Sequence, residues 1–381
     1  MPSLRVALVA SAYNHIRDGV ALTLNRLVEY LERNGVEVLV FTPGTDKPAF
    51  VHQGTIVPVR SVPLPMRPEY RLALGLTRAS QQRMREFAPD LVHVTTPDYL
   101  GYRAMKFGQT LKVPVVASFH ARFDTYAGYY GFQALSGAVD SYLRSFYGQC
   151  RELYVPSESM AEVLAAKRFT TPIRIWARGV DSNHFNPDKR SKEWRAKHGI
   201  KADEFVVAFV SRLVREKQLD TLAKIFHALE HRGVPHRSLI VGEGPDGKAL
   251  KRQLPRGIFT EKLHGEELAH AYACADVFLF PSDSETFGNV TLEAMASGLP
   301  TICADATGSR SLVADGVTGF LAKTGDVEGF ADRIANLAGD PDLRRRMAAA
   351  ARARSLAFNW DEVMGRLLGY YREVAGRSPS A

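Results

Sequence analysis

The sequence predicts an α/β protein built from two Rossmann-like domains. Three observations lead to this. The chain has 381 residues, more than one hydrophobic core usually serves. Short apolar runs alternate with helical patterns, as in a parallel sheet covered by helices. The alternation then starts again after a polar stretch at 182–203.

In the first half, Leu4–Ala12, Val36–Phe41, Asp90–Val94, Val113–Phe119 and Leu153–Pro156 read as strands, and Gly19–Arg33 reads as a helix. The strand runs are continuously apolar, which fits burial on both faces. The stretch 182–203, with Asn186-Pro187, reads as a linker. Phe205–Val210, Ser238–Val241, Val277–Pro281 and Pro300–Ala304 make the second series. These runs set a first domain at 1–180 and a second at 181–360. Residues 361–381 read as a helix packing back on the first domain, followed by a frayed tail.

Composition narrows the class. With 45% apolar and 24% charged residues, the chain reads as an ordinary globular protein. No apolar run approaches the ~20 residues of a membrane span. Leu4–Ala12 is too short for one and lacks a convincing cleavage site, so a cytoplasmic location is expected. Cys150, Cys274 and Cys303 are odd in number and far apart, which fits neither a disulfide framework nor a metal knuckle. The net charge of +8 suits a diphosphate, an anionic membrane or nucleic acid. No nucleic-acid module accompanies it, so no nucleic-acid partner is expected.

The most informative segment is Pro281–Pro300, PSDSETFGNVTLEAMASGLP. A strand ends, a loop carries Glu285, Phe287 and Gly288, and a helix runs from about Asn289, the expected cap, to Gly298. In open parallel sheets, ligands bind outside the carboxyl ends of the strands. Amides at a helix start attract phosphate, so Gly288, Asn289 and Val290 are candidates for a diphosphate. Glu285 is free to hydrogen-bond hydroxyls, and Glu293, one turn in, suits two vicinal ribose hydroxyls.

Glu285 and Glu293 form an E-x7-E pair that, with Phe287 and Gly288, resembles the signature of the retaining GT-B glycosyltransferases of the group 1 family. The resemblance implies two facing Rossmann-like domains with a central donor cleft, Glu285 on the donor sugar and Glu293 on the ribose. Arg212, after the strand at 205–210, and Lys217, five residues on, resemble the family's diphosphate clamp. Fixed cations there favour a transition state that puts negative charge on the leaving oxygens. They also stand in for a divalent metal, so neither metal nor other cofactor is expected. Gly242–Gly247 formally matches G-x-G-x-x-G, but it follows the second strand of its unit rather than the first, which argues against a nicotinamide site. Its Gly-Glu-Gly-Pro turn also looks like the family's, as does Arg178-Gly179-Val180-Asp181.

In the first domain, Gly19 stands where the family often has two glycines near the donor phosphate, with Asp18 at the first. His120 ends a strand where the family's histidine reaches the donor sugar, followed here by Ala121. Lys262–Gly265, including His264, resembles the stretch that meets the nucleobase, and does not choose between uracil and guanine. The chemistry implied is transfer with retained anomeric configuration, the leaving diphosphate oxygen accepting the acceptor's proton on the same face.

The acceptor is less legible. Residues 66–85 read as a basic amphipathic segment carrying Arg67, Arg71, Arg78, Arg83 and Arg85, either a solvated helix face or a membrane-binding one. Phe123, Tyr126, Tyr129, Tyr130 and Phe132 form an aromatic cluster suited to an acyl chain, a sugar or a core. These stretches look similar to a subgroup of GDP-mannose-dependent mannosyltransferases and sulfoquinovosyl and glucuronosyl glycolipid transferases. That implies a GDP- or UDP-linked hexosyl donor and a glycolipid acceptor at the inner membrane surface, with peripheral attachment. Polysaccharide or small-metabolite glycosylation is the alternative. A nucleotide-sugar epimerase fits the motifs less well, and intact Arg212, Lys217, Glu285 and Glu293 argue against a silent sugar-binding module.

Overall fold

The computed structural model describes residues 3–64, 67–120 and 136–376. Its described residues divide into two compact units, one of residues 3–120, 136–177 and 361–376, the other of 178–360.

The first unit holds β1 (Arg5–Val9), β2 (Glu37–Pro43), β3 (Thr55–Val59), β4 (Ser61–Leu64), β5 (Arg67–Ala73), β6 (Leu91–Val94), β7 (Val115–Ser118), β8 (Glu152–Val155) and β9 (Ile173–Ile175). Its main sheet runs β3-β2-β1-β6-β7-β8-β9, with every neighbour pair parallel. The second unit holds β10 (Val206–Val210), β11 (Arg237–Val241), β12 (Ile258–Phe259), β13 (Val277–Phe280), β14 (Thr301–Ala304) and β15 (Gly319–Ala322). Its sheet runs β12-β11-β10-β13-β14-β15, again all parallel. Each is the doubly wound order of a Rossmann-like domain.

Both sheets form for the reason expected. Every residue of the central strands β6, β7, β10 and β13 is buried, so the apolar runs do not alternate. The helix Gly19–Arg33 buries Leu24, Leu27, Val28 and Leu31 along one stripe. The strands that sequence patterning passes over are mostly peripheral. β3 is an edge strand containing Pro58, and β12 is an edge strand of two residues. Edge strands carry little of the apolar signal that marks a buried one.

Two expectations need correction. The stretch 182–203 is not a linker. It contains the helix Lys192–Lys197, buries Trp194 and fixes Arg195 against the carbonyls of Cys274, Lys201 and Glu204. Residues 66–85 are not one amphipathic segment either. β5 pairs antiparallel with β4, and the helix Arg78–Phe87 follows separately. Pro68 and Gly75 keep helical periodicity from extending through it. The aromatic cluster at Phe123–Phe132 and the last five residues lie outside the described residues.

The last described helix, Trp360–Val374, is tied to the first unit's sheet. Tyr371 hydrogen-bonds through its hydroxyl to Nδ1 of His93 on β6 at 2.6 Å. Arg174 on β9 donates to Glu152 at 2.9 Å and pairs with Glu373 at 2.6 Å. Burial lowers His93 to about 3, so its imidazole is neutral there. All three cysteines are buried free thiols, and burial pushes each one up.

Candidate active site

In the second unit the strand order reverses between β10 and β13, and the residues leaving those two strands meet at the carboxyl edge of the sheet. β10 delivers Ser211, Arg212 and a 3₁₀ turn at Arg215–Lys217. β13 delivers the loop carrying Ser282, Ser284 and Glu285. The carbonyl of Glu216 accepts from both Ser282 and Ser284, at 3.2 and 3.1 Å, and pins the loop to the turn. Lys217 then donates through Nζ to Oε1 of Glu285, and its ammonium lies 5.9 Å from the Phe280 ring centroid. Both side chains are largely shielded, at 12% and 22% exposure, so water screens the pair weakly. Arg212 is exposed, and its guanidinium stands 3.7 Å from the buried Glu216 carboxylate.

The Gly-Glu-Gly-Pro turn after β11 has a packing role. Gly242 takes φ +139°, and a Cβ there would come within 1.8 Å of the Ser211 carbonyl oxygen. A Cβ on Gly244 would meet the Leu213 carbonyl oxygen at 2.2 Å. The amide of Leu213 donates to the Glu243 carbonyl at 2.9 Å. The two turns are thus laced together, and the glycines let the backbone carrying Arg212 pass close by.

The loop from β13 runs into the helix Asn289–Ala296. Its cap is Gly288, in the left-handed region at φ +97°, and Asn289 is the first helical residue rather than the cap. Asn289 and Val290 lie in the first turn, whose amides have no carbonyl partner inside the helix. Glu293 sits one turn further. Its Oε2 accepts from the Tyr272 hydroxyl at 2.9 Å. Tyr272 is fully buried on the helix Gly265–Ala273, and burial, with the neighbouring carboxylate second, raises its phenol well above the usual tyrosine range. His264 precedes that helix and is exposed at the end of the segment leaving β12. One edge of one sheet therefore gathers Arg212, Lys217, Glu285, Gly288, Asn289, Val290, Glu293 and His264. Sequence reasoning gave no role to Tyr272, which lies within the family-like stretch 271–276, or to Glu216, which precedes Lys217.

Gly19 and His120 belong to the other unit, also beyond carboxyl ends of strands. Gly19 opens its helix, and Asp18 caps it, accepting from the Ala21 amide at 2.8 Å. The Asp18 carboxylate thus already lies on the positive end of that helix. His120 is bonded through Nε2 to the Ser118 hydroxyl at 2.8 Å, and its ring meets Trp176 edge-on at 5.6 Å.

Comparison with known proteins decides the family. The chain is similar to the GDP-mannose-dependent alpha-mannosyltransferase of Mycolicibacterium smegmatis, at 38% identity over 384 residues and 98% of both chains. The family profile "Glycosyl transferases group 1" matches residues 190–354, and "Glycosyltransferase Family 4" matches 17–184. The chain belongs to the group 1 glycosyl transferases. It is also similar to the sulfoquinovosyl transferase SQD2 of Arabidopsis thaliana, at 33% identity over 90% of this chain and 68% of the relative. Among solved structures it resembles the sucrose-phosphate synthase of Thermosynechococcus elongatus, with a TM-score of 0.79 at 21% identity over 98% of this chain and all of that one. That likeness gives the fold, the two Rossmann-like domains of the GT-B class. The enzyme is a nucleotide-sugar-dependent hexosyltransferase. No described helix is long and apolar enough to cross a membrane.

Proposed function

We propose that this glycosyltransferase moves a mannosyl group from GDP-mannose to a glycolipid hydroxyl, with retention at the anomeric carbon. The observation that carries the catalytic reading is the Lys217–Glu285 pair, set beside an exposed Arg212 and the amide-rich start of the helix holding Glu293. Arg212, Lys217 and the amides of Gly288–Val290 hold the diphosphate, and their charge favours the leaving group as the glycosidic bond breaks. Glu293 takes the ribose, His264 lies at the base, and Glu285 orients the transferred sugar. The family resemblance assigns His120 to the sugar and Gly19 to the phosphate. The oxygen leaving the anomeric carbon takes the acceptor's proton as the new bond forms on the same face. These fixed cations do the work of a metal.

The mannosyl donor is supported by full-length likeness to a GDP-mannose-dependent enzyme. A UDP-sugar is the second reading, favoured by the likeness to a sulfoquinovosyl transferase. The glycolipid acceptor and a peripheral place on the cytoplasmic membrane face are supported by the resemblance around residues 63–74 and 118–131. Thermal shift against GDP, UDP, ADP and their sugar conjugates tests the donor. GDP and GDP-mannose should raise the midpoint by mass action. Stabilisation by UDP alone would replace mannose with a UDP-sugar, and an inverted product anomer by NMR would sink the retaining mechanism.

A further inference from the structure

Glu216 is a buried charge in the middle of the candidate site. It lies in the 3₁₀ turn Arg215–Lys217, beside Lys217 and four residues after Arg212. Its side chain is 5% exposed, against 55% for Arg212. Oε1 stands 3.7 Å from the Arg212 guanidinium, too far for a hydrogen bond. Oε2 is shielded from water and has no hydrogen-bond partner among the described residues. The adjacent ammonium, that of Lys217, is committed to Glu285.

A carboxylate held out of water with an empty oxygen is costly, and the cost falls when a cation closes on it. Arg212 is the cation in place. Its guanidinium offers five N–H groups in a rigid planar fork, so one edge can meet a carboxylate while another meets phosphate. A shift of about 0.8 Å would turn the present contact into a charge-assisted hydrogen bond. The backbone of Glu216 works on the other side. Its carbonyl accepts from Ser282 and Ser284 on the loop that carries Glu285. One residue thus meets Arg212 through its side chain and the Glu285 loop through its carbonyl.

We propose, on the reading of Arg212 as a diphosphate ligand, that Glu216 is its positioning residue, holding the guanidinium with one edge toward the distal phosphate. An exposed arginine has many rotamers to lose when it grips an anion, and a fixed carboxylate behind it removes much of that loss beforehand. Phosphate in front excludes water from the pair and strengthens the attraction behind. The charge of Glu216 itself repels the anion, so two effects of opposite sign compete. The carboxylate lies behind the guanidinium and farther from the phosphate, whereas positioning acts at contact, so positioning wins.

Titration calorimetry of the full chain with GDP, GMP, UDP and UMP tests this. Glu216→Gln removes the charge while keeping the shape and the carbonyl that holds both serines. Its affinity for GDP should fall about tenfold and that for GMP change less than about twofold, since only the distal phosphate loses its contact. A UDP-linked donor would show the same split between UDP and UMP. With Arg212→Ala already present, Glu216→Gln should cost less than about twofold, because Glu216 acts through Arg212. Equal losses in both backgrounds, or for diphosphate and monophosphate alike, overturn the positioning role in favour of general support of the fold. Tighter GDP binding by Glu216→Gln overturns it in favour of plain repulsion. Glu216→Asp keeps the charge but loses more packing than glutamine, and should still retain more GDP affinity than Glu216→Gln; the reverse order also overturns the role. Wild-type GDP affinity in Arg212→Ala sinks the clamp reading together with this one. Weakened binding in Arg212→Ala beside unchanged binding in Glu216→Gln removes the positioning role alone, so the two readings fail separately.

Discussion

Lys217 and Glu285 lie 68 positions apart in sequence, yet the ammonium of one donates directly to the carboxylate of the other. The contact exists because neighbouring strands β10 and β13 end side by side and the Glu216 carbonyl holds both serines of the intervening loop. Each charge holds the other in place. Replacing either with alanine should lower kcat about 100-fold or more, as loss of a transition-state contact does. The double variant should fall well short of the product of the two effects, because the residues act as a unit. Initial rates on all three proteins check this, and full independence of the two effects would mean that the pair does not work as one.

If Glu293 takes the donor's ribose, Tyr272 is the residue that holds its carboxylate in place. Tyr272→Phe removes the 2.9 Å bond without changing the ring's packing. A hydrogen bond to a charged group is worth about 1.5–3 kcal/mol, so nucleoside diphosphate binding should weaken about tenfold or more while kcat changes little. Titration calorimetry with GDP measures the loss. Glu293→Gln serves as the control, since an unaffected affinity there would show that the carboxylate is not on the ribose at all.

Gly244→Ala places a methyl group 2.2 Å from the Leu213 carbonyl oxygen, too close for backbone to tolerate. The turn has to move, and Leu213 follows Arg212 directly. Both stability and donor affinity should fall, by a few kcal/mol and about tenfold respectively, as for overpacking at a rigid contact. A variant with a lower midpoint but wild-type donor affinity would break the link between this turn and the clamp.

If fixed cations replace a metal, transfer should continue in excess EDTA at the untreated rate. Recovery of lost activity by added Mg²⁺ or Mn²⁺ would show that a metal shares the diphosphate.

His93 makes acid sensitivity predictable. Folded, it titrates near 3, and unfolded near its ordinary value of about 6.5. Between those values the unfolded chain holds a proton that the folded one refuses. The stability from this neutral, buried imidazole is therefore complete above about pH 6.5 and is lost as pH falls toward 3. His93→Gln lacks that dependence. Its midpoint deficit against wild type should shrink from pH 7 to pH 4 in differential scanning calorimetry, and a constant deficit would contradict the assignment.

Much of the fold was readable because central parallel strands announce themselves by unbroken apolar runs. β10 and β13 could be placed to within a residue. The E-x7-E and R-x4-K elements were readable for a related reason, since each lies within one strand–loop–helix stretch. Contacts between stretches were not. Tyr272 looks in sequence like any core aromatic, and only the fold shows its hydroxyl on Glu293. Asp18 stands in sequence at the first of the family's two glycine positions, and only the structure shows it as a helix cap. The arginines of 66–85 suggested one amphipathic segment because composition carries no record of the strand pairing that divides it.

Because helix Trp360–Val374 completes the unit that begins at the N-terminus, residues 178–360 are an uninterrupted insert within the described part of that unit. A ribosome delivers the described residues of the inserted unit before it delivers the Tyr371 that bonds His93. The domain translated second is thus the first to have all of its described parts, while the domain translated first waits for its closing helix. Expression of 178–360 alone should give a foldable piece, whereas 1–177 lacks one wall of its own core unless 361–376 is supplied in trans or spliced on by circular permutation.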